Sequence, residues 1–347
     1  MKYITKNKNS KLPSGKADFL LAASVTKTCE IEGITQAGIP GLIPLTPTLD
    51  AEFISTGKVF SLENIAETPK GVPTPALITR AVTQLKSFNT IKILDLGMSV
   101  KPKESNLIDF GIKPSQNIAN GSKIDAKEIF NKAREYARGY KLEADYIILG
   151  ESTPAGTTTA TATAIALGYE CKDAFSSSFK NNPLNIKEEV VKKALLNIDE
   201  NMSSFDKLSI LSDNMLIFTA GFLIEFSQKA KVVLGGGTQL AAALLVADTL
   251  AKELNLNINS ENITLATTTW VANDENSNIE RLLNQLSFKI NAVYAEFSFK
   301  SANIPILKLY DQGEAKEGVG AGSAIFYAYL NNLSNEDILR EVESLMV

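Results

Sequence analysis

Three times along this 347-residue chain a short apolar run ends in glycine or threonine and a helical stretch begins. The runs are 146–149, 231–234 and 263–266, and Gly150, Gly235 and Thr267 follow them. Comparable runs stand at 19–24, 91–96 and 293–297. They are rich in Ile, Val, Leu and Tyr and lack polar alternation, as strands covered on both faces do. Helical spacing or composition over 74–88, 125–139, 157–167, 187–197, 212–228, 238–254 and 279–286 separates most of them. This alternation predicts an α/β fold, a parallel sheet with helices on both faces. Ligands of such sheets bind where strand carboxyl ends meet helix amino ends, so Gly150, Gly235 and Thr267 are expected on the binding rim.

Other stretches fit the pattern less well. Between 25 and 75 six prolines (Pro40, Pro44, Pro47, Pro69, Pro73 and Pro75) interrupt regular structure. That tract reads either as loops covering a site or as part of a smaller subdomain. Residues 98–122 are polar and read as a long loop, and 321–347 as helical, with Ser334 an N-cap candidate. The expected organisation is one α/β domain over 1–347, three-layered and Rossmann-like. A small lobe is expected from about 25–90 together with 321–347.

Composition removes several function classes. The net charge is −4, with no basic block, which argues against a nucleic-acid partner. The most apolar later stretch, 215–226, is too short to span a bilayer, so no membrane partner is expected. Lysines before the apolar residues 19–24 superficially resemble a signal peptide, but the stretch is short and Asp18 precedes it, so it reads as a first strand. Cys29 and Cys171 are far apart and in no metal-type spacing, which fits a reducing cytoplasm. The chain has no histidine. Ser–His and Cys–His nucleophile pairs and histidine-ligated metals are thereby excluded. A general base must then be Asp, Glu, Lys or Tyr. Neither a metal nor a cofactor is expected.

The glycine loops point to an anion. GESTPAGTTT (150–159) follows a strand and opens a helix, a junction that offers bare N–H groups and a positive helix end. It is not a P-loop, because its glycine spacing is one residue longer than G-x-x-x-x-G-K-S/T and Thr157 stands where lysine should be. What remains suits a monophosphate or a ribose. The segment is equally a tight turn that needs Gly156 for backbone shape. GGGTQ (235–239) matches a dinucleotide fingerprint poorly, with Leu240 at its last position, and close strand–helix packing explains it as well. KEGVGAGS (316–323) sets Glu317 in a third such loop, and Glu151 sits just after a strand end. Taken alone, Glu317 reads first as a solvated surface charge and Lys187 first as a solvated charge at the start of a helix face. Trp270, the only tryptophan, reads first as core or lid packing and second as a stacking platform.

Together these segments resemble the nicotinate-nucleotide:dimethylbenzimidazole phosphoribosyltransferase (CobT) family, and most nearly its archaeal-type branch. The matching pieces run in order along nearly the whole chain. They are GITQAG (33–38) with LTPTLDAE (45–52), then the 150–159 loop, 235–239, TTTWV (267–271) and KEGVGAG (316–322). The better-studied bacterial members have GEMGIGNTT where this chain has one more residue and fewer glycines, and the 33–52 segment departs from the bacterial pattern.

The resemblance implies transfer of phosphoribose from nicotinate mononucleotide to a base nitrogen, with no cofactor, in a homodimer. It implies Glu317 as the catalytic carboxylate and Glu151 in the active site. Lys187 would contact the phosphate, as would Gly235, Gly236 and Gly237, with Gly156, Thr157 and Thr158 on the phosphate and ribose side. Gln36 and Thr46 would border a purine or benzimidazole, with base choice expected to be relaxed. Two other classes stay open: a catalytically silent nucleotide-binding protein on the same fold, and an NAD-type dehydrogenase using Gly235–Gly237.

Overall fold

A computed structural model describes residues 1–171 and 173–346; the reading of the tail as helical up to residue 347 thus ends on a residue outside the described ones. Eight strands form one sheet: β1 (Lys2–Thr5), β2 (Ala17–Ala23), β3 (Thr90–Asp95), β4 (Leu107–Asp109), β5 (Tyr146–Ser152), β6 (Val232–Gly235), β7 (Ile263–Thr267) and β8 (Asn291–Tyr294). Their spatial order is β1-β8-β7-β6-β5-β2-β3-β4. All neighbours run parallel except β1, which pairs antiparallel with β8 at the edge.

The central strands divide their side chains between two cores. Leu20, Ala22, Ile147, Leu149, Val232 and Leu234 face one side, where the helices Ala126–Gly139, Gly156–Ala166, Asn214–Phe226 and Thr238–Glu253 pack. Phe19, Leu21, Tyr146, Ile148 and Val233 face the other, under Ala76–Leu85, Ala321–Leu330 and Asn335–Ser344. Burial on both faces is why these strands read as continuous apolar runs.

Local chemistry sets the helix ends. Asp125 caps Ala126–Gly139 by accepting from Glu128 N at 2.8 Å. Ser334 and Asp337 form a reciprocal capping box for Asn335–Ser344. Asn214–Phe226 is apolar nearly all round because it lies between other helices rather than on the surface. It crosses Ala126–Gly139 so closely that a Cβ on Gly221 would lie 2.6 Å from Phe130 O.

Several readings change. The polar stretch 98–122 contributes β4, a three-residue edge strand too short to show a period. The proline-rich tract contains a helix, Thr46–Thr56, with Pro47 in its first turn, where the missing N–H costs nothing. The strand starting at Tyr146 does not stop at Leu149 but continues through Gly150 and Glu151 to Ser152.

The strand order reverses direction between β5 and β2: β3 and β4 lie on one side, β6, β7 and β8 on the other. Ligands of open α/β sheets bind at such a switch point, beyond the carboxyl ends of the strands. Gly150, Gly235 and Ala266 stand side by side in register at that end.

Candidate functional site

Above these strand ends lies a cavity of about 870 Å³, its open mouth included. Its wall is drawn from six segments of the chain, 35–50, 66–75, 151–157, 176–178, 237–239 and 315–319, with Val271.

Glu317 occupies one wall, partly open to the cavity. Its Oε2 accepts from Thr268 N at 2.8 Å and Thr267 Oγ1 at 3.2 Å, and its Oε1 from Gly322 N at 3.1 Å and Gly318 N at 3.2 Å. Thr268 also donates its hydroxyl to Lys316 O at 2.5 Å, tying the loop to the end of β7. The protein around Glu317 strips its carboxylate of water and raises its pKa to about 7, against the pull of those donors.

The loop that carries Glu317 is held in an unusual shape. Val319, a β-branched residue, has φ of +54°, between Gly318 and Gly320, which are also at positive φ. Two bonds hold it there: Val319 N donates to Glu151 O at 2.7 Å, and Thr79 Oγ1 donates to Val319 O at 2.8 Å. Immediately after it Gly322 lies so close to β7 that a Cβ would come 2.2 Å from the carbonyl carbon of Thr267.

Glu151 is 4% exposed and lies across the 236–237 turn from Glu317. A Cβ on Gly236 would be 3.7 Å from Glu151 Cγ, and one on Gly237 3.8 Å from Glu317 Cγ. Burial raises the Glu151 pKa to about 8, with the charges of Glu317, Asp213 and Asp50 adding to the effect. At neutral pH Glu151 therefore keeps its proton.

A cationic side completes the site. Lys187, 7% exposed, donates to Thr157 Oγ1 at 2.9 Å and Ser176 O at 3.1 Å. Burial lowers its pKa to about 7, and the charge of Lys316 adds to this. Lys316 pairs with Asp274 at 3.2 Å and donates to Phe179 O at 2.7 Å. Ser176 Oγ donates to Asp274 at 2.7 Å, and Ser176 N to Thr238 Oγ1 at 3.1 Å.

Of the residues singled out by sequence, Glu317, Glu151, Thr157, Gly237 and Thr46 line the cavity. Lys187 stands behind Thr157, and Thr158 is fully buried. Gly156 leaves room for Gln239, whose Oε1 would be 2.3 Å from a Cβ there. Gly235 and Gly236 make way for Ser323 and Leu240, respectively. Gln36 donates its amide to Glu314 and to Ser178 O at 2.6 Å, and so anchors its loop rather than lining the cavity. Sequence reasoning passed over Asp50, Thr74, Ser152, Ser176, Thr238, Asp274 and Lys316. Asp50, Ser152, Thr238 and Lys316 sit in motifs that carry the resemblance but take no role from it, and Thr74, Ser176 and Asp274 sit in none.

Residues 84–258 match a family profile described as a phosphoribosyltransferase. The chain belongs to the CobT-type phosphoribosyltransferase family. Its relatives include UPF0284 proteins of Sulfurisphaera tokodaii, 37% identical over 94% of this chain and 92% of that one, and Archaeoglobus fulgidus, 36% identical over 96% and 94%. The fold is similar to that of the nicotinate-nucleotide-dimethylbenzimidazole phosphoribosyltransferase of Thermus thermophilus. The TM-score is 0.62 at 16% identity, covering 96% of this chain and 84% of that one. Among the described residues no helix is long and apolar enough to cross a membrane.

Proposed function

We propose that this phosphoribosyltransferase moves the phosphoribosyl group of nicotinate mononucleotide to a ring nitrogen of a flat base. The products are an α-ribotide, the form required of a lower ligand in cobamide nucleotide-loop assembly, and nicotinate. The observation that carries the reading is Glu317: a carboxylate fixed at the cavity wall by three backbone N–H groups, with a pKa of about 7. A group so poised can take a proton at neutral pH.

The chemistry needs little else. In nicotinate mononucleotide the ring nitrogen carries positive charge, and the breaking C1′–N bond gives it back an electron pair. The base nitrogen forms the new C1′–N bond from the opposite face, turning β into α. As that bond forms, the remaining ring N–H of the base becomes acidic, and Glu317 takes its proton. Glu151, protonated at neutral pH, adds no second negative charge and can donate to a ribose oxygen. The hydroxyl of Thr157, which accepts from Lys187 and keeps its proton free, and the amine groups of Lys187 and Lys316 form the side suited to a monophosphate.

A dehydrogenase reading is weaker, because Leu240 fills the space under Gly236 where a dinucleotide fingerprint has a small residue. The test is chromatographic: incubate the protein with nicotinate mononucleotide and a panel of bases and measure nicotinate. Folded protein that releases none with any base overturns the proposal and leaves the silent nucleotide-binding reading.

A further inference from the structure

The side of the cavity built from 35–50 and 66–75 sets the carbon of Ala37, Ala66, Val72, Pro73 and Pro75 among Thr35, Thr46, Thr68, Thr74 and the exposed Glu67. Set among these is Asp50, 2% exposed, which the reaction above does not use. Its Oδ1 accepts from Thr74 Oγ1 and its Oδ2 from Ser152 Oγ, both at 2.7 Å. Burial pushes its pKa up to about 6, which the two hydroxyl donors resist, so it is mostly ionised above pH 7. The neighbouring hydroxyl protons are already committed. Thr74 and Ser152 give theirs to Asp50, and Thr46 gives its own to Ala37 O at 3.1 Å. A hydroxyl has one proton and two lone pairs, and a carboxylate has about four lone-pair sites. What Asp50, Thr74, Ser152 and Thr46 have left for a ligand is acceptors alone.

We infer that this end of the cavity selects an acceptor base bearing an N–H or O–H donor on its edge, with Asp50 as the specificity-determining residue. The inference rests on the transferase reading and narrows it. A base whose edge carries only C–H and methyl groups would bury a carboxylate against carbon and leave these acceptors unpaired. Unpaired buried polar groups discriminate more strongly than a missing or extra methyl does. An aminopurine supplies the donor; dimethylbenzimidazole does not. The relaxed base choice expected from Gln36 and Thr46 gives way to a preference, since Gln36 is spent on Glu314 and Ser178 and Thr46 can only accept.

The test compares three acceptors that share a purine ring: adenine, purine without the amine, and N6,N6-dimethyladenine without the exocyclic N–H groups. With nicotinate release as readout, kcat/KM for adenine should exceed that for the other two by about tenfold to a hundredfold. The ratio should collapse toward unity in Asp50→Asn. Equal values for the three bases in the parent overturn the inference, as does an unchanged ratio in Asp50→Asn. Should that variant not fold, as judged by circular dichroism, the three-base comparison on the parent decides alone. Should no base release nicotinate, the transferase reading falls by itself. Calorimetric binding of adenine against purine then judges Asp50: tighter adenine upholds its role and equal affinity ends it.

Discussion

At one end of the cavity a lysine is buried beside another lysine; at the other, carboxylates are buried beside carboxylates. Lys187 has no ion-pair partner among the described residues, while Lys316 is satisfied by Asp274. Glu151 and Glu317 likewise act on each other's charge, and neither has an ion-pair partner among the described residues. Burial drives the lysine down to about 7 and the two glutamates up to about 8 and 7. Both ends thus wait near neutrality for a ligand of opposite character. A phosphate would draw a proton onto Lys187, and a base acquiring positive charge would give one to Glu317. Perturbed groups of both signs in one cleft mark a working site more reliably than either alone.

The comparison can be broken most severely at Glu317. Glu317→Gln is expected to keep nucleotide binding and lose about two to four orders of magnitude in turnover. In the parent, kcat/KM should rise with pH through about 7 as the base ionises, and that limb should vanish in the variant. Near-normal nicotinate release by Glu317→Gln would move the proton acceptor to Glu151.

Lys187→Ala tests the cationic end. Losing a charge-assisted contact should weaken nicotinate mononucleotide binding by about 1.5–3 kcal/mol. Nicotinate riboside, which lacks the phosphate, should be a poor substrate for the parent and indifferent to the change. Equal loss on both would assign Lys187 to folding. Calorimetry at pH 8 in two buffers of different ionisation enthalpy should show proton uptake with the nucleotide in the parent and less in the variant.

The smallest effect is on stability. Glu151 and Glu317 have folded-state pKa values above the ordinary 4.5, so from about pH 4.5 up to about 8 and 7, respectively, the folded state holds more protons than the unfolded one. Their contribution therefore declines as pH rises. Lys187, depressed from 10.5 to about 7, acts in the opposite sense only above pH 7. Tm in the absence of ligand should be lower at pH 7 than at pH 5.5, and the difference should shrink in Glu151→Gln. An identical difference in that variant would show that Glu151 titrates normally.

The scaffold was legible in the sequence because its strands are buried on both faces and its helices have periodic apolar faces. β1 and β4 were not, since four- and three-residue edge strands carry no usable period. Glu317 and Glu151 could be picked out because each stands beside glycine, Glu317 in the loop before a helix and Glu151 near the carboxyl end of a strand. Asp50 could not: it lies in a helix inside a proline-rich tract, and its partners Thr74 and Ser152 are 24 and 102 residues away. Gln36 misled for the same reason, as Glu314, its partner, is 278 residues along the chain. Trp270 followed its plainer reading. It stacks on Phe299 at 5.7 Å and donates to Asp311 at 2.9 Å.

The order of the segments along the chain has a consequence for synthesis. β1 has no partner until β8 has been made, and the loop that carries Glu317 leaves the ribosome later still. A nascent chain can assemble the parallel strands yet lacks Ala321–Leu330, the helix that covers Phe19, Ile148 and Val233. That apolar face stays open until Phe326 arrives, and exposed surface of this kind invites aggregation or chaperone binding. The interval of vulnerability therefore lasts until Ala321–Leu330 has been made, and the first turn of that helix, through Gly322, donates to Glu317.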